Sequence, residues 1–237
     1  MKQTPHSQKT AFSTVLTAIR ATWPPMLVIQ LANALLVYSY FNIPTATRAL
    51  DQVSQWREQG GIIAVLLAGF VAGGVLPEIA KILTGKVKKL DNSWAVAATY
   101  VGIVYSIIGF LVYLLYFVQV SLFSASNDPA TVLKKVLFDM LVFSPFLSIP
   151  FATGMLIWRK RAFQISAWKE VIIPSSYREN VLPGVILCWI FWFPVMSSIY
   201  VLPLKLQFPI AMLCEAAWTI VFVFNVQELT AEPVLVE

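Results

Sequence analysis

The chain has 237 residues, of which 58% are hydrophobic and only 12% charged, and its mean hydropathy is +0.74. Soluble domains are about 45–50% apolar and about 25% charged. So little charge cannot cover a soluble domain of this size, and so much apolar surface excludes a disordered chain. The net charge of +5 comes from 17 Lys and Arg against 12 Asp and Glu spread over short segments. That spread argues against a nucleic-acid surface and suits loops facing cytoplasm or anionic lipid.

The N-terminal tail carries Lys2, Lys9 and Arg20, has no acid before residue 23, and is rich in Ser and Thr. It lacks the small-residue cleavage site of a signal peptide. It reads as a short cytoplasmic tail, with an organellar transit peptide as the alternative. Six apolar runs follow: Met26–Ile43, Gly61–Pro77, Ala95–Phe123, Val136–Trp158, Gly184–Leu204 and Leu206–Val226. Most reach the roughly 17–25 residues of a spanning helix. The second is short, and either spans with its continuation to Leu83 or dips in and returns. None alternates apolar and polar like a barrel strand. The expectation is an all-α, polytopic transmembrane bundle forming a single domain over residues 1–237.

If all six runs span, Arg48, Arg57, Lys134, Lys135 and Lys205 fall on one side and the other 12 basic residues on the opposite side. The richer side is then the cytoplasm or a mitochondrial matrix, and both termini lie there. The expected location is a bacterial inner membrane or an organellar one, mitochondrial or peroxisomal. The longest connection, 159–183, follows Arg159-Lys160-Arg161 with Phe163, Trp168, Val171 and Ile172, a mixture suited to an interfacial helix.

Within the runs, Gly69 and Gly73 form a GxxxG pair that lets a second helix approach closely, inside the chain or in a homo-oligomer. Pro145, Pro150, Pro194 and Pro203 each free a carbonyl, which needs a partner or a wet cavity in a bilayer. Ser144, Ser148, Ser197 and Ser198 are placed to serve as local partners. Two acids fall inside apolar runs, where a charge costs roughly 2.5–3.5 kcal/mol on insertion scales. Asp139 lies four residues after Lys135 near a helix start, which offers an ion pair. Glu215 has no cation at helical spacing. Asn33, Asp139, Ser144, Ser197 and Glu215 are the candidate pore-lining residues. His6 is the only histidine, and Cys188 and Cys214 stand apart. No zinc-type metal site, nucleophile–base pair or phosphate loop can be assembled from them. The expectation is a non-enzymatic protein without cofactor.

Three stretches resemble the family of the twenty-two-kilodalton peroxisomal membrane protein and its mitochondrial inner-membrane relatives. One runs from Lys134-Lys135-Val136 to Asp139, with Pro145 six residues on. Another is Trp189-Ile190-Phe191-Trp192-Phe193-Pro194. The third is Val201-Leu202-Pro203-Leu204-Lys205, with Trp218 fifteen residues after the proline. The resemblance covers residues 134–226. Gln207 stands where that family carries Arg, and Val195–Tyr200 departs from its Gln and Asn-Phe. The resemblance implies a small helical membrane protein, some relatives of which form weakly selective channels. The leading expectation is therefore a pore for small solutes. A non-transporting scaffold or accessory subunit and a proton-coupled carrier using Glu215 are the alternatives.

Overall fold

A computed structural model of the chain describes residues 11–85, 87 and 90–225, and among these every regular element is a helix. The expectations for His6, Lys2, Lys9, Lys86, Lys88, Lys89 and Val226 lie outside the described residues. The helices are α1 (Ala11–Asn42), α2 (Pro44–Phe70), α3 (Leu76–Leu83), α4 (Asn92–Phe123), α5 (Pro129–Phe138), α6 (Ile149–Lys160), α7 (Lys169–Ile172), α8 (Pro174–Asn180), α9 (Leu182–Ile199) and α10 (Leu204–Asn225). Two π-helical segments join elements without a break: Val71–Val75 links α2 to α3, and Asp139–Ser148 links α5 to α6.

Five helical stretches are long and apolar enough to cross a membrane, namely Thr22–Asn42, Pro44–Leu83, Asn92–Phe123, Pro129–Lys160 and Leu182–Ile199. Their outer faces are apolar rather than polar: Val28, Leu31, Leu35, Ile63, Val96 and Phe146 are all exposed. Such a surface is compatible with a bilayer and would aggregate in water. The sixth expected run corresponds to α10, whose first half is the most enclosed part of the bundle. Leu206, Phe208 and Ile210 are buried there with Phe191, Ile199 and Tyr200 of the preceding segment.

Local chemistry sets the helix ends. Asp91 accepts the Trp94 N–H at 2.9 Å and the Ser93 hydroxyl at 2.7 Å, starting α4. Asp128 accepts the N–H groups of Ala130 and Thr131, both at 3.1 Å, ahead of Pro129, starting α5. Both are N-caps satisfying donors that a helix start leaves open. Ser126 first, and then Thr131, hold the Asp128 carboxyl well below the ordinary carboxylate range.

Two of the sequence boundaries need correction, at residues 44–60 and at the end of the fifth run. Residues 44–60, expected to be a loop, are helical. Gly61, at φ 54° and ψ −139°, redirects the chain between that polar helix and the apolar one after it. The second run is thereby extended to Leu83 and has the length to span. The fifth run ends early: α9 stops at Ile199, and a turn over 200–203 separates it from α10. In the 159–183 connection, Ile165 and Ile172 are exposed, but Val171 is buried and Trp168 packs against Gly154 of α6. One side of this segment therefore braces the protein while Phe163, Ile165 and Ile172 stay exposed.

Elements that share an end of the bundle are tied there. At one end, Lys205 pairs with Asp51 at 2.9 Å, and Asn127 donates to the Val201 carbonyl at 3.1 Å. Asp51 holds the Lys205 ammonium above its ordinary pKa. At the opposite end, Trp94 donates to Glu78 at 2.8 Å and Arg159 sits over the Tyr100 ring at 5.3 Å.

Candidate functional site

The site begins with backbone that the prolines open. In a π segment each N–H reaches the carbonyl five residues back rather than four. Ile149 N–H bonds to Ser144, and Leu76 N–H bonds to Val71, in this register. A proline five residues after a carbonyl then leaves it empty. Three pairs have that spacing: Ala72 and Pro77, Met140 and Pro145, Pro145 and Pro150. Each carbonyl is taken by a side chain from elsewhere. The Thr219 hydroxyl lies 2.9 Å from the Ala72 oxygen, the Trp189 indole N–H donates to Met140 at 2.6 Å, and the Tyr177 hydroxyl donates to Pro145 at 2.7 Å. In α9, Pro194 frees the Ile190 carbonyl, which accepts from the Gln30 amide at 3.1 Å. The expected local serines do not do this work. Ser197 bonds Phe193, and Ser198 bonds Val195.

The longer π segment also places side chains. Its wider turn brings residues five apart into line, so that Ser144 Oγ approaches Asp139 Oδ1 at 3.5 Å. The other Asp139 oxygen accepts the Tyr200 hydroxyl at 2.8 Å. The expected ion pair with Lys135 does not form; Lys135 Nζ donates to the Ser126 carbonyl at 3.3 Å. Asp139 is thus tethered by Tyr200, from the turn before α10.

Between this segment, α4, α9 and α10 lies a cavity of about 100 Å³. It is lined by Asp139, Ser144 and Ser148, by Tyr105 and Tyr116 of α4, by Cys188 and Trp192 of α9, and by Glu215 and Trp218 of α10, with Phe143, Met140 and Met212 among the apolar walls. Among the described residues, no Lys, Arg or His lines it. Unlike Asp139, Glu215 accepts no hydrogen bond or ion pair from another described side chain. The Tyr116 hydroxyl is buried without a partner. Tyr116 also lines a second cavity, of about 410 Å³, bounded by Arg57, Glu58, Lys205, Tyr113 and Phe117 at the Lys205 end. There the Arg57 guanidinium lies 5.5 Å from the Tyr113 ring centre.

Of the five candidate lining residues, Asp139, Ser144 and Glu215 meet at the inner cavity, while Asn33 and Ser197 do not. Asn33 is buried and bridges helices: its amide donates to Ser198 Oγ at 2.5 Å, and its oxygen lies 3.5 Å from Cys214 Sγ. Ser197 bonds back to its own helix. Among the motif residues, Trp192 and Trp218 line the cavity, Pro145 and Pro194 open carbonyls, and Pro203 sits in the turn before α10. Gly69 and Gly73 face α4: a Cβ on Gly69 would lie 2.5 Å from the Tyr105 carbonyl, and one on Gly73 would overlap the Tyr105 side chain. Tyr105 and Tyr116 are the site residues that sequence reasoning missed. Each puts a hydroxyl inside the longest apolar run, a faint polar signal among many aromatics. The described residues contain no group of three or more His, Cys, Asp or Glu able to hold a metal. No protein-family model matches the chain, and no curated protein or solved structure matches it.

Proposed function

We propose that this protein moves small solutes across a membrane through the cavity between α4, α9, α10 and the Asp139–Ser148 segment. One observation carries the reading: two acids from separate membrane-length stretches of chain face one internal space that no described basic side chain lines. Intramembrane acids are costly and mark solute or ion paths by default. Volume supports a small cargo, since about 100 Å³ admits a few waters or one compact solute. Tyr116, shared by the two cavities, marks the route from the Lys205 end inward. The resemblance to the peroxisomal membrane protein family points the same way. With six spans, both termini face the cytoplasm or matrix, on the side rich in Lys and Arg.

The test is solute flux in proteoliposomes. The protein should release small solutes above the rate of protein-free vesicles, and Ser148→Trp, which fills the cavity, should cut that release about tenfold. Release without a gradient identifies a pore; release only with a proton gradient identifies a carrier. A second reading, a non-transporting scaffold, draws on Asn33 and Gln30, which spend their polar groups on helix bridges. No flux under either condition would remove the transport reading and leave this one standing.

A further inference from the structure

We infer that the inner cavity selects a small organic cation of the alkylammonium class. The inference rests on the transport reading for its role, but on the cavity alone for its chemistry. The charge count comes first. Asp139 is already engaged, with one oxygen on the Tyr200 hydroxyl and the other near Ser144. Glu215 accepts nothing from any other described side chain and faces the same space. Two carboxylates, one of them without a partner among the described residues, and no described lining base call for a cationic guest and repel anions.

The walls then say what kind of cation. Tyr105, Tyr116, Phe143, Trp192 and Trp218 bring five aromatic rings to one cavity. Trp218 is held in place by stacking on Phe191 at 4.7 Å, and Trp192 packs edge-on to that same Phe191 at 5.1 Å. Fixed aromatic faces attract alkylated ammonium groups, whose diffuse charge is cheaply dehydrated, and aromatic cages recognise them in this way. A bare metal ion fits poorly. A divalent ion takes about six or more oxygen ligands, whereas no group of three or more His, Cys, Asp or Glu gathers among the described residues, and Ile108, Met140 and Met212 stand in the same wall. The Tyr116 hydroxyl, buried and unpartnered, adds one lone pair for an N–H or an ordered water on the guest. The outer cavity does not set the selection, because Asp51 and Glu58 balance Lys205 and Arg57 there.

The experiment is a ligand-induced stabilisation measurement on the full chain in neutral detergent. Tetramethylammonium chloride is compared with sodium chloride at equal ionic strength and with tert-butanol, which is similar in bulk and uncharged. Tetramethylammonium should raise the melting temperature saturably, as binding to the folded state requires, and neither control should. Glu215→Gln keeps the side-chain size and should weaken the apparent affinity by about tenfold or more; Trp192→Leu should do the same by removing an aromatic face. The inference is overturned if tert-butanol stabilises as well as tetramethylammonium, or if the wild-type protein shows no saturable effect of the cation. These two results come from wild-type protein and stand whether or not the variants fold. Because binding is read without a membrane, the two proposals fail separately. Cation binding without flux in liposomes removes the transport reading alone. Flux of neutral solutes without cation binding removes this inference alone.

Discussion

The two π segments use one backbone device and build opposite things from it. In each, a proline placed five residues after a carbonyl leaves that oxygen empty, and a neighbouring helix supplies the donor. Around Val71–Val75 the side chains are glycines and small residues, so α4 closes onto the backbone. A Cβ on Gly74 would collide with Gly102, and Gly109 packs on Gly69. Around Asp139–Ser148 the side chains are larger and partly polar, Asp139, Met140, Phe143 and Ser144 among them, and the neighbours stand off around a cavity. A π turn therefore does not by itself create a site. It exposes backbone oxygens, and the size of the nearby side chains decides whether the space is sealed or left open.

The largest expected effect breaks the sealed side. Replacing Gly69 and Gly73 with Leu drives side chains into the Tyr105 backbone and ring. Overpacking costs about 1–3 kcal/mol per site, and here one clash is with a carbonyl that cannot turn away. The doublet should lose most of its folded protein in detergent, measured by size-exclusion profile and thermal melt. An unchanged melt would mean that α2 and α4 are not in contact.

The next effect concerns the open side. Trp189→Phe leaves the Met140 oxygen without its donor at 2.6 Å. A stranded buried acceptor costs about 1–3 kcal/mol. Restoring a backbone N–H with Pro145→Ala in the same chain should recover part of that loss, so the two changes are coupled rather than additive. Strict additivity would mean that Pro145 is not what empties this carbonyl.

Thr219→Val should cost less, about 1 kcal/mol. Its hydroxyl has one proton but lies within 2.9 Å of both Ala72 and Glu215 carbonyls and 3.0 Å of Ala216. The bond it gives to Ala72 is therefore shared, unlike the directed indole bond of Trp189. A loss as large as that of Trp189→Phe would remove this distinction.

The smallest effect lies at the start of the helix that leads into the open π segment. Asp128 caps α5, and its depressed pKa gives a definite sign. The ionised cap contributes its stability at neutral pH, and that contribution fades as pH falls below the unfolded value near 4. Asp128→Ala should lower the melting temperature slightly at pH 7, and the gap from wild type should narrow by pH 3. A gap that widens on acidification would contradict the capping role.

Much of this bundle was legible in the sequence, because an apolar run of about twenty residues has few other uses. The errors fell where periodicity carries no signal. Residues 44–60 read as a loop because they are polar, yet they form a helix between Pro44 and Gly61. Asp139 was paired with Lys135 by α-helical spacing, whereas the π register lines it up with Ser144 and hands it to Tyr200. Glu215 stood out because nothing at helical spacing balances it, and no other described side chain pairs with it either. Asn33 looked equally polar, but its partners lie about 160 and 180 residues away on α9 and α10. Only the fold can tell a polar side chain that bridges helices from one that faces a cavity.

The central claim is that the cavity holding Glu215 is reached by solutes from water, and the chain carries its own reporter. Cys188 lines that cavity, whereas Cys214 lies against Asn33. In a Cys214→Ser background, reconstituted in liposomes, Cys188 should be modified by the cationic aminoethyl methanethiosulfonate, and more slowly by the anionic sulfonatoethyl reagent. Glu215→Gln should shrink the difference between the two. If neither reagent modifies Cys188 in the folded protein even at about pH 9, where more of a thiol is the reactive thiolate, while both modify it after denaturation, the cavity is a sealed packing void and the account is wrong.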